Sequence, residues 1–396
     1  MNFAACSSAL REHGLGWPKF IIDLARLDAN VARLRRSVVD QQLRLVVKSL
    51  PCPDLLARLM GALGTQRLMV FHLPFLLQVV RHWPQADIML GKPLPAAAVS
   101  AFYRAFDVSG PFDSARALHW LVDTPARVRA YVVIARRFGV RMNVVVELDV
   151  GMHRGGAGDS EALRAVLDAI AAGKGTLALS GFMGYDAHAA KGVPWLSRKR
   201  AVAQANAVYA RLVEAARAMH PGLLPERLLC NGAGSPTCVF HGADSPLTEL
   251  AIGSIFLKPA EFDLPQLASF EPACWLAAPV IKRLRGVRIP FLEAISRFSR
   301  RDTLFIYGGR WPVTPCWPDG LRDSSLYGPS FNQQFLTVPR RTTVGEDDFV
   351  FFRPLQSESV MPSLGDVLAI EPDGSLASWP VLEQKPPDAG PDANGS

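Results

Sequence analysis

The chain has 396 residues, 49% of them hydrophobic and 20% charged, with a formal net charge of +7; this is globular composition with length for a large core and two domains or more. The basic residues are scattered, and the densest cluster, Lys282-Arg283-Leu284-Arg285-Gly286-Val287-Arg288, is short and interrupted by apolar residues, which suits a solvated face or an anionic ligand and argues against nucleic acid as a partner. No uncharged apolar run reaches about 18 residues, so no membrane span is expected.

From about residue 20 to 260, short apolar strands alternate with amphipathic helical stretches. The strand candidates are Phe20–Ile22, Leu43–Val47, Leu68–Phe71, Ile88–Leu90, Leu118–Val122, Met142–Leu148, Leu177–Gly181, Arg227–Leu229 and Glu249–Ile255. Helices are predicted over Leu27–Val38, Pro125–Phe138, Ser160–Ala171 and Arg198–Met219. Two carry start signals: Asp123-Thr124 before Pro125, and Asp159 before Ser160. Strand–helix repeats at this spacing imply a parallel sheet, and about eight of them close into a (β/α)8 TIM-type barrel, an α/β fold. The stretch from Gly91 to Ala117 fits that count least well. After residue 265, prolines, glycines and aromatics become frequent and helical periodicity disappears. Short strands such as Thr303–Tyr307, Phe349–Phe352 and Val367–Ile370 predict an all-β C-terminal domain. The expected division is a barrel over 20–262, a β-domain from 1–19 and 263–384, and a disordered tail over 385–396. Six cysteines without C-x-x-C spacing, and no secretory opening, predict reduced thiols in the cytoplasm.

Active sites of such barrels lie at the C-terminal ends of the strands. Four stretches share that address. In Arg44-Leu-Val-Val-Lys48 a buried strand places one lysine at its end; either the ammonium snorkels into water, or its amine is held for chemistry. Asp149-Val-Gly-Met-His-Arg154 is a glycine-bounded turn whose arginine is a fork-shaped donor for an oxyanion, or else a surface partner of Asp149 or Glu147. Gly181-Phe-Met-Gly-Tyr185-Asp-Ala-His188 offers an imidazole that can stack on an aromatic ligand or simply line the wall. Asn231-Gly232-Ala-Gly234-Ser235-Pro-Thr237 and Ile252-Gly253-Ser254 are glycine loops with hydroxyls, suited to phosphate, although many such turns only connect elements. A lysine, an arginine, a stackable ring and two phosphate loops at one barrel mouth together suit pyridoxal phosphate.

Those motifs resemble the fold-type III pyridoxal-phosphate enzymes with an alanine-racemase-like barrel, and within them the D-threonine aldolase and D-serine dehydratase branch. The resemblance runs from Trp17-Pro-Lys-Phe-Ile-Ile-Asp23 to Gly365-Asp366, and its strongest piece is Asp149-Val-Gly-Met-His-Arg154. It implies that Lys48 is the Schiff-base lysine, that Arg154 meets the cofactor's 3-hydroxyl oxygen, and that Tyr185 and His188 flank the ring. It also implies that Asn231, Gly232, Gly234, Ser235, Gly253 and Ser254 hold the phosphate. Ala251 stands where alanine racemases hold the pyridine nitrogen with an arginine.

The branch also carries a histidine, one residue, then a cysteine or aspartate near the C-terminus, binding a divalent metal. Here Gly365–Ser378 has no histidine, and Glu371 and Asp373 read as a surface turn, so a metal is doubtful. The implied activity is a lyase on D-configured β-hydroxy-α-amino acids, most simply a retro-aldol cleavage to glycine and an aldehyde. Lys48 or His188 would move protons, and Gln356, Ser357 and Glu358 would face the substrate. Dehydration, racemisation through Tyr307 or Tyr327, and a non-catalytic cofactor carrier remain open. Exposed-looking aromatics in Tyr307–Pro312 and Ser325–Phe331, with the resemblance, imply a homodimer.

Overall fold

The fold was described from a computed structural model, which describes residues 1–385 apart from 39, 192, 194, 288–290, 292–298 and 325–327. Tyr327, Arg288 and tail residues 386–396 lie outside the described residues.

Two compact units divide the chain. One comprises Val31–Ile255 with a return segment from Leu382; the other comprises Met1–Asn30 with Phe256–Val381. The first strand, β1 (Lys19–Asp23), belongs to the second unit. It pairs antiparallel with the strand starting at Cys274 and parallel with that starting at Val367. The expectation that Phe20–Ile22 opens the barrel is therefore corrected. An apolar triplet followed directly by an amphipathic helix reads like any β/α repeat, yet its neighbours here are distant strands.

The barrel unit closes through eight parallel strands: β2 (Gln42–Val46), β3 (Arg67–Val70), β4 (Asp87–Leu90), β5 (Leu118–Val122), β6 (Met142–Glu147), β7 (Leu177–Gly184), β8 (Leu229–Gly232) and β9 (Glu249–Ile252). β9 pairs back onto β2, from Gln42 opposite Glu249 to Leu45 opposite Ile252. β5 and β6 are buried along their whole length. A parallel sheet covered on both faces requires such unbroken apolar runs.

The helix signals act as expected. Thr124 Oγ1 accepts from the Arg127 N–H at 3.2 Å, and Gly139 at φ 62° ends that helix. Asp159 Oδ1 accepts from Glu161 and Ala162 at 3.0 and 2.8 Å. Each cap contributes roughly 0.5–2 kcal/mol. The difficult Gly91–Ala117 stretch carries helices Ala96–Ala105 and Ser114–Ala117. Beyond the second unit, Leu382 donates its N–H to the Pro51 carbonyl at 2.8 Å, and Glu383 and Gln78 exchange two hydrogen bonds.

The second unit is a mostly antiparallel sheet of nine strands among the described residues. β1 is joined there by β10 (Cys274–Leu284), β11 (Arg301–Tyr307), β12 (Val313–Trp317), β13 (Arg322–Asp323), β14 (Gln333–Pro339), β15 (Phe349–Pro354), β16 (Val367–Ile370) and β17 (Leu376–Trp379). The order runs β13-β14-β11-β10-β1-β16-β17, with β15 also on β10 and β12 on β15. Leu10, from the helix Phe3–Glu12, packs into a core of Ile21, Trp275, Phe349, Phe351 and Leu368. Among the described residues no helix is long and apolar enough to cross a membrane.

Candidate active site

At the C-terminal end of β2 the chain turns through one 3-10 turn, Val47–Ser49, which carries Lys48 off the strand. Val47 and Ser49 are buried and Lys48 between them half-buried, so the turn is anchored on either side of the amine. Lys48 Nζ lies 5.1 Å from the centroid of Phe71, just past β3. Phe71 in turn packs where Gly91, past β4, has no side chain: a Cβ there would fall 2.1 Å from Phe71 Cζ. Sequence reasoning missed this Lys48–Phe71–Gly91 stack. Its only signal is a glycine after a strand, which marks a close approach.

The turn after β6 is organised by Asp149. Its Oδ1 accepts the N–H groups of Gly151 and His153 at 3.0 and 2.9 Å, and its Oδ2 lies 2.9 Å from His153 Nδ1. Burial pushes this carboxyl up, but the donated N–H groups outweigh it and hold the acid below its usual range. Asp149 is thus engaged by His153, and Arg154 instead places its guanidinium 5.0 Å from the Tyr185 ring centroid. Glu147, one turn away, is pushed up by burial, partly offset by Arg154.

Beyond β7, Tyr185 also packs against Gly234, where a Cβ would fall 2.8 Å from the ring. His188 begins a short helix and faces Gly151, where a Cβ would sit 3.0 Å from Nε2. Its buried Nδ1 makes no hydrogen bond among the described residues. Asp186 turns inward instead. It accepts from Thr237 Oγ1 at 2.7 Å and meets His241 Nε2 at 3.0 Å, bracing the loop after β8.

That loop begins at Asn231, fully buried, whose Nδ2 donates to Glu249 Oε1 at 2.8 Å. Ser235 Oγ accepts from the N–H groups of Gly253 and Ile255 at 3.2 and 3.1 Å. The two glycine loops are therefore fastened together, and these two donors point at Ser235. Ser254 donates to Ser49 Oγ at 3.1 Å, so the second loop also touches the lysine turn. Gly253 has no room for a Cβ, which would sit 3.0 Å from the Val46 carbonyl. Lys48, Arg154, Tyr185, His188, Asn231, Gly232, Gly234, Ser235, Gly253 and Ser254 thus all stand at or just past the C-terminal ends of barrel strands.

Gln356, Ser357 and Glu358 belong to the second unit. Gln356 Nε2 is bonded to Glu261 Oε2, and Ser357 is fully buried at the start of a short helix. Glu371 and Asp373 form the turn between β16 and β17, with Asp373 Oδ1 accepting from Ser375. Among the described residues no group of three or more His, Cys, Asp or Glu could hold a metal ion.

The family described as alanine racemase, N-terminal domain, matches residues 22–258, more than half of the chain. The chain belongs to that family. Among solved structures it is similar to D-threo-3-hydroxyaspartate dehydratase from Delftia sp. HT23, at 18% identity and TM-score 0.72, covering 92% of this chain and 97% of that one. It is similar as well to D-threonine aldolase from Filomicrobium marinum (19%, TM-score 0.71, 93% and 98%) and to alanine racemase of Clostridium difficile 630 (14%, TM-score 0.71, 92% and 98%). No curated protein matches it in sequence.

This fold implies pyridoxal phosphate. The residues present fit that group: the Ser235 and Ser254 hydroxyls lie in the two loops, and His188 presents an unpartnered ring nitrogen.

Proposed function

We propose that the chain is a pyridoxal-phosphate-dependent lyase that cleaves D-configured β-hydroxy-α-amino acids to glycine and an aldehyde. The observation that carries this reading is the Ser49–Ser254 hydrogen bond, which joins the lysine turn to a glycine loop suited to phosphate. In this reading the Lys48 amine holds the cofactor. Ser235 and Ser254, in the loops carrying Asn231, Gly232, Gly234 and Gly253, would hold its phosphate, and Arg154, braced on Tyr185, would meet its 3-hydroxyl oxygen. When bound, the cofactor supplies an electron sink for the charge left as the Cα–Cβ bond breaks. Lys48, once displaced by substrate, and His188, through its unpartnered nitrogen, move protons at the β-hydroxyl and at Cα. Phe71 limits water around the amine, which sharpens its electrostatic interactions. Gln356 and Glu358 are assigned to the substrate, Ser357 being fully buried beneath them, and no divalent metal takes part. The enzyme works as a homodimer in the cytoplasm, where its six free cysteines stay reduced.

The test is incubation of the holoprotein with D-threonine, D-serine, D-phenylserine and D-alanine, with and without EDTA. Glycine and aldehyde at an EDTA-insensitive rate are expected. Ammonia with a keto acid would make it a dehydratase, an inverted amino acid a racemase, and no product a carrier. Activity lost on chelation would reinstate a metal.

A further inference from the structure

The opposite, N-terminal end of the barrel holds a cavity of about 670 Å³, formed where all eight barrel strands begin. Its floor is built on charge. Arg44 is fully buried beneath it, 2.6 Å from Glu249 Oε1 and 2.7 Å from Asp87 Oδ1. Burial alone would lower its affinity for the proton, but the two carboxylates hold it above the ordinary arginine range. Arg67 adds a second guanidinium, 3.1 Å from Glu249 Oε2.

Both cavity carboxylates are therefore already matched by Arg44 and Arg67. What is left over is positive. Arg116, Arg141 and Arg227 line the cavity, and none of the three forms an ion pair among the described residues. His119 points into the same space at 8% exposure. Its Nδ1 lies 3.0 Å from Ser180 Oγ, and its buried Nε2 is turned to Asp87 at 3.5 Å. Packing alone has no use for three exposed, unmatched arginines around one hollow. Like charges gathered over a low-dielectric wall raise the local potential, and guanidinium forks match phosphate and carboxylate groups in shape.

We propose that this cavity is a second binding site, for a small di- or trivalent anion bearing phosphate or carboxylate groups. Arg116, Arg141 and Arg227 grip the charge from the rim, above a floor whose own carboxylates are already matched. The site is separate from the lysine end of the barrel and does not depend on what reaction occurs there.

The test titrates the full-length holoprotein with inorganic pyrophosphate and with citrate, at ionic strength fixed with chloride, reading binding heat and the thermal midpoint. At least one probe should bind saturably, one per chain, and raise the midpoint; which one binds separates phosphate from carboxylate recognition. The Arg116→Gln/Arg141→Gln double variant should bind at least about tenfold more weakly, or about 1.4 kcal/mol, with its cofactor absorbance unchanged. Arg227→Gln, changed alone on another connection, should weaken binding by itself and covers a double variant that fails to fold. No saturable binding of either probe, or undiminished binding by these variants, overturns the proposal.

Discussion

Ser235 and Gly253 are joined by a hydrogen bond of 3.2 Å, in which the Gly253 N–H donates to the serine hydroxyl. The same oxygen accepts from Ile255 at 3.1 Å. One side chain thus satisfies two buried donors of a loop that pairs with a different strand.

Ser235→Ala should leave both N–H groups unpartnered in a dry setting. An unsatisfied buried donor costs roughly 1–3 kcal/mol, so the cofactor-free protein should lose stability on that order in urea titration. Thermal and chemical unfolding equal to wild type would show that the loops are held together by something else.

Arg44→Leu should be more damaging. It leaves the buried Glu249 to Arg67 alone, and breaking a buried pair from one side costs up to about 3–5 kcal/mol. Because Glu249 also accepts from Asn231, weaker cofactor retention should accompany the lost stability. Equilibrium dialysis against a cofactor-free buffer would register it, and unchanged retention would uncouple the floor from the loop.

Glu147 gives a pH signature. Burial raises its folded-state pKa above the unfolded value, so the ionised form disfavours the fold. The penalty is absent at low pH, grows as pH rises from the ordinary carboxyl range through the raised value, and is full at neutrality. Glu147→Gln should therefore stabilise the protein at neutral pH, with the gain fading as the solution is acidified. A pH-independent difference in unfolding free energy would contradict this.

The strand-end positions of Lys48 and Arg154 were legible because a charge follows directly on an apolar run, with glycines marking the turn at Arg154. The barrel strands were legible for a similar reason, as runs such as Leu118–Val122 are buried from end to end. Three things were not. The partner of Phe20–Ile22 is a matter of pairing, not of local pattern. The 11-residue β10 hides among prolines and basic residues. The arginines at 67, 116, 141 and 227 are scattered along the chain and become neighbours only when the strands close.

The second unit leaves Tyr307 at 51% and Phe331 at 69% exposed. Burying such side chains is worth roughly 1.5–3 kcal/mol each, which favours a second copy as their cover. Light scattering should give twice the mass of the chain at micromolar concentration, and Tyr307→Asp with Phe331→Asp should shift it toward the monomer. A wild-type monomer would remove the dimer from the proposed function.

Strand β1 lies inside the second sheet, between β10 and β16, with Phe20 opposite both Leu276 and Val367. During synthesis it leaves the ribosome before any strand it will pair with. All eight barrel strands emerge ahead of its first partner. Until Val367 follows, one edge of β1 stays open, so a nascent chain arrested earlier would carry a finished barrel beside an unsealed, sticky ribbon. Translation pauses and chaperone capture should therefore cluster between residues 260 and 367, where ribosome profiling and crosslinking would find them.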